Sequence, residues 1–394
     1  MNPFVAHLGH VVGRAVCDRL PRPQGTRRIL LVSSKALIVG YLRDIWELLR
    51  DDPRLRFKQV LDKGLPAGDQ AHAHRLLPCP EVSHYLAKVW HWDLVILADH
   101  MFEALCTPWR FPVLRVPHGI GSKAFDGQDY QYGPCLYDLQ GRLKYTRIFE
   151  CSEARRAHFV ARNPELAQVI SVVGNLRIDR LLAASTQRDA LRRQMGFAPG
   201  QTVVLITGSW GEDNLFRKVG PELMAEARRL LGKYQFIVRL HPNLLGPLCT
   251  DRQDWPLFLE EQKKAGLRIS PVEEDMMVPM VGCDVMVSDD VTSMTLYAAL
   301  LQKPLVCVRT GSKQSPADSF LGRLSRIVPE LKSGRDLDAT LISTLHNWPP
   351  PRLAELAGEM NSYPAQARER ILTEVYQLLH LPRLDKPNTG AAGT

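Results

Sequence analysis

The sequence lacks several features that would settle its chemistry at once. None of its eight cysteines lies in a Cys-x-x-Cys pair. They are therefore expected to be free buried thiols, not disulfides or zinc ligands. No Gly-x-Gly-x-x-Gly follows a strand, which argues against a dinucleotide-dependent oxidoreductase. No run reaches the about 18 apolar residues needed to cross a bilayer. The N-terminal stretch Met1–Leu20 is interrupted by His10 and Arg14, and no small-residue cleavage site follows, so it is not expected to be a secretory signal. Its stripe of Phe4, Leu8, Val11, Val12, Ala15 and Val16 suits a helix packed on a domain, laid on a membrane surface or paired with a second copy. There is no internal repeat, no low-complexity segment, no block of like charge and no RNA-binding aromatic signature. Despite a net charge of +8, a nucleic-acid partner is not expected. The positive balance suits a phosphate-rich partner such as a nucleotide or an anionic lipid surface, or a merely solvated basic exterior.

What is present is alternation. The chain has 394 residues, 45% hydrophobic and 23% charged, a globular composition long enough for two domains. Short Val/Ile/Leu-rich runs fall at Arg28–Ser33, Leu55–Val60, Asp93–Ala98, Val113–Val116, Arg147–Cys151 and Val169–Val173. A second set follows at Thr202–Thr207, Tyr234–Arg239, Leu267–Ser270, Asp284–Ser288 and Pro304–Val308. Runs of this kind fit strands buried on both faces of a parallel sheet. Helical stretches separate them, among them Leu37–Arg50, Gly220–Leu231 and Ser293–Leu301. Two successive βα arrays imply an α/β protein with two doubly wound, Rossmann-like domains facing across a cleft, where ligands would bind at the carboxyl ends of strands. The expected boundaries are 1–184 for the first Rossmann-like domain and 185–348 for the second, with Ser185–Gly200 as a joint. Residues 349–381 would be helices packing back across the domains, and 382–394 a flexible tail. His72 and His74 read as part of a polar loop with no third ligand nearby, so no metal site is expected there.

Four segments place polar groups where strands end. Val116–Lys123 (VPHGIGSK) runs from a strand into His118, then Gly119 and Lys123; the His suits a general base and the Lys a phosphate contact, though a strand-end His is often structural. Val172–Leu181 (VVGNLRIDRL) turns at Gly174 and opens a helix with Arg177 and Asp179, which also reads as ordinary N-terminal capping. Ile237–Asn243 (IVRLHPN) puts Arg239 and His241 two apart, on one face of a strand end, as an anion site would need. Asp284–Ser293 (DVMVSDDVTS) leads through Asp290, Thr292 and Ser293 into a helix whose N-terminus favours phosphate.

The order His118–Lys123, Gly174–Leu181, Arg239–Pro242 and Asp290–Pro304 resembles the CDP-glycerol glycerophosphotransferase family, and Phe149–Glu153 (FECSE) resembles the same family's segment before its Gly motif. Gly174, Asn175, Asp179 and His241–Asn243 are similar to motifs of the UDP-N-acetylglucosamine 2-epimerases, whose paired glutamates this chain lacks. The chain also departs from the transferase pattern. Leu176 stands where a Pro precedes the Arg, and Val291 stands where an aromatic follows the Asp. Tyr297 occupies the region of an acid that would hold the donor ribose. Thr207–Gly211 (TGSWG) replaces a Pro-Thr-Trp turn.

The resemblance implies a GT-B fold and a transferase that uses a nucleotide-diphosphate donor, CDP-glycerol-like first. It would act without a cofactor, on a polyol, glycan or lipid-linked acceptor in teichoic-acid, capsule or glycoconjugate synthesis. It would be cytoplasmic, at the inner face of the membrane if the N-terminal helix touches lipid. His118 and His241 would be catalytic. Gly119, Lys123, Gly174, Arg177, Asp179, Arg239, Asp290, Thr292 and Ser293 would bind donor or substrate. A nucleotide-sugar glycosyltransferase, an epimerase and a non-catalytic nucleotide-binding protein on the same fold are the alternatives.

Overall fold

The computed structural model describes residues 25–33, 36–62, 64–65, 67–98, 110–117, 124–125, 128–129, 134–138, 140–246, 249, 253–289, 293–310, 317 and 320–384. The chain divides into two compact units. The first takes its described residues from Met1–His118, Gln131–Leu176 and Ser362–Thr394, the second from Gly119–Tyr130 and Arg177–Asn361.

In the first unit the strands are β1 (Arg27–Ser33), β2 (Leu55–Leu61), β3 (Leu94–Leu97), β4 (Val113–Arg115), β5 (Arg147–Glu150) and β6 (Ile170–Val172). They form one parallel sheet in the order β2-β1-β3-β4-β5-β6. The near-continuous apolar runs follow from burial on both faces. Ile29, Leu31, Leu94 and Ile96 join one core with Val39, Leu42, Ile45 and Leu49 of helix α1 (Ala36–Leu49). The alternate residues Leu30, Val32, Val95 and Leu97 join another, around Trp92, Phe111, Tyr145 and Phe159.

The second unit holds β7 (Thr202–Thr207), β8 (Tyr234–Arg239), β9 (Arg268–Ile269), β10 (Val285–Asp289) and β11 (Leu305–Val308), again parallel, in the order β9-β8-β7-β10-β11. Val204, Ile206, Phe236, Val238, Val285 and Val287 meet Phe216, Leu223 and Trp255 on one face. All eleven runs read as strands from the sequence are strands here. The helices Leu353–Met360 and Ala367–Leu378 lie where expected.

The last of these, α2 (Ala367–Leu378), belongs to the first unit. Ala367, Ile371 and Val375 repeat every four residues and pack into the core that holds Ile29 and Leu31. Polar bonds fix its far end. Tyr376 donates to Asp52 Oδ2 at 2.8 Å, Arg54 Nη2 lies 2.7 Å from the same carboxylate, and Arg27 Nε donates to Leu379 O at 3.0 Å. At its near end, Gly174 has φ +81°, and a Cβ there would stand 3.2 Å from Tyr363 O and 3.3 Å from Ala367 Cβ. The glycine serves a left-handed turn and a close backbone approach together.

One expectation is corrected. His72 and His74 lie in the helix Ala67–Leu76, not in a loop. Positions two apart on a helix do not face each other. His74 lies 3.1 Å from both Gln59 Nε2 and Glu81 Oε2, and Ala73 between the pair is fully buried. The thiols read as buried are so at Cys79, Cys151, Cys283 and Cys307, while Cys135 and Cys249 are half-buried; Cys17 and Cys106 lie outside the described residues. Burial pushes the Cys79 and Cys151 thiols up to about 12, which keeps them as inert SH groups. Among the described residues no helix is long and apolar enough to cross a membrane.

Two measurements test how α2 is held. Gly174→Ala should lower the free energy of unfolding by about 1–2 kcal/mol through its left-handed φ alone, with a further loss from the crowded Cβ. Burial raises the Asp52 pKa, but hydrogen bonds from Arg54 and Tyr376 outweigh it and hold the carboxyl below its ordinary value. A depressed carboxyl contributes stability above its unfolded value of about 3.9 and loses it as pH falls through the folded value. Asp52→Asn should therefore cost about 1–3 kcal/mol at pH 7. In urea titrations the gap to wild type should narrow below pH of about 4.

Candidate functional site

In a parallel sheet buried on both faces, the loops at the carboxyl ends of the strands are where polar side chains can gather. In the second unit, three neighbouring strands end in such groups: β8 at Arg239, β7 at Thr207 and β10 at Asp289.

Beyond β8 comes His241, with φ −68° and ψ 138°, capping the short 3₁₀ turn Pro242–Leu244. Pro242 has no N–H, so the first amide available to the cap is that of Asn243, which donates to His241 Nδ1 at 3.1 Å. An Nδ1 that accepts from an amide holds no proton, so the neutral ring carries its proton on Nε2. His241 thus offers a donor through Nε2.

Arg239 is committed otherwise. It is 9% exposed. Its Nη1 donates to Ser270 Oγ at 2.7 Å and Pro271 O at 2.9 Å, and its Nη2 to Glu274 O at 3.0 Å and Val272 O at 3.4 Å. Ser270 Oγ donates to Glu274 Oε2 at 2.6 Å, and Arg268 Nη2 lies 2.5 Å from Glu274 Oε1. Burial pulls the Arg239 pKa down, while Glu274, Asp275 and Glu273 push it up. Burial would raise the Glu274 pKa, but Arg268, Ser270 and Arg239 bring it below the ordinary value. The sequence reading put this guanidinium on donor phosphate; in the structure it holds the loop 270–275.

Beyond β7, the turn Thr207–Gly211 is fixed by a residue that the sequence reading did not single out. Asp289, fully buried at the end of β10, accepts from Ser209 N and Ser209 Oγ, both at 2.7 Å, and from Leu215 N at 3.4 Å. A Cβ on Gly208 would come within 3.2 Å of the Asp289 carboxylate and 3.3 Å of Leu215 Cβ. Asn214 caps the next helix by accepting from Arg217 N at 3.2 Å, and it donates to Gly211 O at 2.6 Å. The turn carries Trp210, 39% exposed, whose ring centroid lies 6.4 Å from that of His241 at an interplanar angle of 34°. The signal for Asp289 was there: a carboxylate ending a buried strand needs internal donors.

Beyond β10, Ser293 begins helix α3 (Ser293–Leu300). Tyr297, which stands in the region of the expected ribose-holding acid, is 2% exposed. The Lys of the Lys-Pro pair, Lys303, is an internal pin, with Nζ donating to Val281 O at 2.9 Å and to Cys283 O at 2.5 Å.

In the first unit, β5 ends at Glu150, fully buried, which pairs with Arg155 Nε at 2.8 Å. Ser152 caps the helix that follows by accepting from Arg155 N at 3.2 Å. The segment resembling the family is thus built as a buried ion pair over a helix start. Gly174 is buried in its turn, and the helix Leu176–Ala184 carries Asp179 in its first turn, with Arg177 and Asp179 both half-buried. Arg177 and Asp179 group with the second unit. His118, Gly119, Lys123, Asp290 and Thr292 lie outside the described residues. Among the described residues no His, Cys, Asp or Glu cluster could hold a metal ion.

The site residues that come together are those on the second sheet: His241, Trp210 and Asp289 at neighbouring strand ends, with Ser293 opening the helix beyond β10.

No family model matches the sequence, and no curated protein matches it. Solved structures do. A His-to-Asn variant of the wall teichoic acid polymerase TagF is similar with a TM-score of 0.64 at 13% identity, over 96% of this chain and 97% of that one. The UDP-GlcNAc 2-epimerase from Neisseria meningitidis, bound to UDP-GlcNAc, is similar with a TM-score of 0.56 at 14% identity, over 89% of this chain and 99% of that one. S. aureus MnaA with UDP gives 0.55 at 12%, over 91% and 98%. These are representatives of the two families that the motifs resemble, and at such identities the likeness speaks for the fold. The chain has the GT-B fold, with two parallel, doubly wound, Rossmann-like sheets.

Proposed function

We propose that this chain is a GT-B transferase that moves a polyol-phosphate or sugar from a nucleotide-diphosphate donor, CDP-glycerol-like first, to an acceptor hydroxyl. The observation that carries this reading is the ring of His241. It stands at a strand end and is oriented by Asn243 N–H so that Nε2–H can donate. Beyond β10 of the same sheet, α3 opens with Ser293, a helix start suited to phosphate.

The step balances without a further reactant. The acceptor oxygen attacks the donor's outer phosphorus and forms a new O–P bond. The bond from that phosphorus to the oxygen bridging to the nucleotide breaks, and its electron pair leaves with the nucleotide monophosphate. The acceptor proton passes to His118, the base expected from the sequence, a role that contributes about 10²–10⁴-fold. His241 Nε2–H donates to the outer, reacting phosphate, while the N-terminus of α3 and the Ser293 hydroxyl stabilise the charge that grows on the leaving phosphate. Each such donor contributes about 10²–10³-fold. Lys123, Asp290 and Thr292 would join the phosphate contacts, with Gly119 allowing close approach. Gly174, Arg177 and Asp179 would bind donor or substrate, as the resemblance implies. Arg239 acts at one remove, by holding the loop 270–275. The step is drawn with side chains and amides alone and calls on no cofactor. Its acceptor would be a polyol, glycan or lipid-linked hydroxyl presented on the cytoplasmic side of a membrane.

A second reading is sugar-nucleotide chemistry, as glycosyl transfer or epimerisation. It is favoured by the likeness to an epimerase bound to UDP-GlcNAc and opposed by the absence of that family's paired glutamates.

Thermal shift of the purified protein against CDP-glycerol, CDP-ribitol, CMP, UDP-GlcNAc, UDP and GDP-sugars separates these readings. A ligand at 100 times its Kd should add about 2.7 kcal/mol of stability. A cytidine-selective shift supports the first reading, and a uridine- or guanosine-selective shift moves the assignment to the second. No shift with any nucleotide overturns both. His241→Ala should lower the ligand-free melting point modestly, by the loss of its cap on the turn Pro242–Leu244, and lower turnover by about 10²–10³-fold. Arg239→Ala should lower the ligand-free melting point itself, because four hydrogen bonds to the loop are lost.

A further inference from the structure

We infer that Trp210 is the platform for the transferred group: its indole face receives the C–H face of the polyol or sugar while His241 holds the adjoining phosphate. This rests on the donor reading above and names the subsite next to it.

Three observations on the second unit point to this residue. First, Trp210 is 39% exposed, whereas Trp255, in the same unit, is 3% exposed and packs in the core. Second, its exposure is built and not the accident of a loose loop. Asp289 accepts from Ser209 N and Oγ immediately before it, Gly208 admits that carboxylate within 3.2 Å of where a Cβ would stand, and Asn214 ties down Gly211 immediately after it. A buried carboxylate spent on fixing a turn that presents an aromatic ring to solvent is how a ligand-facing surface is preorganised. Third, the ring lies beside His241, centroid to centroid 6.4 Å.

The adjacency selects the ligand fragment. In a nucleoside diphosphate donor the base is separated from the reacting phosphate by a second phosphate and a ribose. The transferred polyol or sugar is joined to its phosphate through a single oxygen. A ring within one ring's width of the phosphate-holding imidazole therefore meets the transferred group before it could meet the base. The π face is the negative side of the indole quadrupole, and it attracts the weakly positive C–H groups that line one side of a polyol.

The test compares full donor with leaving nucleotide. Dissociation constants of CDP-glycerol and CMP, and of UDP-GlcNAc and UDP, are measured by calorimetry for wild type, Trp210→Ala and Trp210→Phe. Trp210→Ala should weaken the full donor by about three- to tenfold and leave the bare nucleotide unchanged, raising KM more than it lowers kcat. Trp210→Phe should restore most of the loss. Equal weakening of donor and bare nucleotide overturns the inference and puts the indole on the nucleotide; no weakening of either overturns it outright. If wild type binds none of the four ligands, the donor reading falls first and this one with it. Should Trp210→Ala unfold, the wild-type indole emission decides. A change on adding the donor that CMP or UDP does not produce, absent in Trp210→Phe, supports the inference, and identical changes with both ligands overturn it.

Discussion

Burying parallel strands on both faces is the constraint from which the rest follows. A strand such as β1, with Ile29 and Leu31 in one core and Leu30 and Val32 in another, has no face left for a polar side chain. Polar groups are driven to the strand ends, where the backbone must turn. There each one has to find partners within the loop or leave the core. Asp289 shows the first outcome, fully buried and taken up by Ser209 and Leu215 N. Trp210, 39% exposed, shows the second, and His241 lies between the two, half-buried with Nδ1 accepting from Asn243 N. Which side chains stay enclosed and which reach the surface is therefore decided largely by the hydrogen bonds at the strand ends.

The same rule explains the behaviour of the two basic residues at the end of β8. A two-residue period would put Arg239 and His241 on one face. The strand stops at Arg239, and Pro242 turns the chain one residue after His241. The guanidinium then finds Ser270 Oγ and three backbone carbonyls within reach, with Glu274, Asp275 and Glu273 countering part of the effect of its burial. A cation so enclosed organises the loop 270–275 and has little left to offer an incoming phosphate.

Much of this was legible in the sequence. The eleven strands were visible because two-face burial demands uninterrupted Val, Ile and Leu, a pattern few other structures need. The α2 helix was visible from its four-residue apolar repeat, but its partner was not. Nothing in Ala367, Ile371 or Val375 says that they join the core of Ile29, Leu31 and helix α1, since nonpolar packing carries no address. Gly174 was visible as a turn glycine, but its second duty, admitting Tyr363 O and Ala367 at 3.2–3.3 Å, depends on a segment almost two hundred positions later. His72 and His74 looked like a loop because their neighbours are polar; a buried Ala73 makes the segment a helix. Asp289 was passed over because nothing in the sequence shows that it is enclosed and bonded by the turn at Ser209.

The His241 ring bears on how the labour of the reaction is divided. To act as a base through Nδ1 it would have to give up the Asn243 amide, and to act as one through Nε2 it would have to move its proton onto Nδ1, which costs the same bond. An amide that caps the ring therefore favours one direction of proton traffic: His241 gives a hydrogen bond to a growing negative charge more readily than it takes a proton from a hydroxyl. The base must then be another group. If the donor reading holds, the reacting phosphate and the attacking hydroxyl are served by different histidines, and the imidazole beside Trp210 is the one that serves the phosphate. A donor fixed in advance by a backbone amide needs no reorganisation when the charge arrives, which is where electrostatic catalysis draws most of its strength.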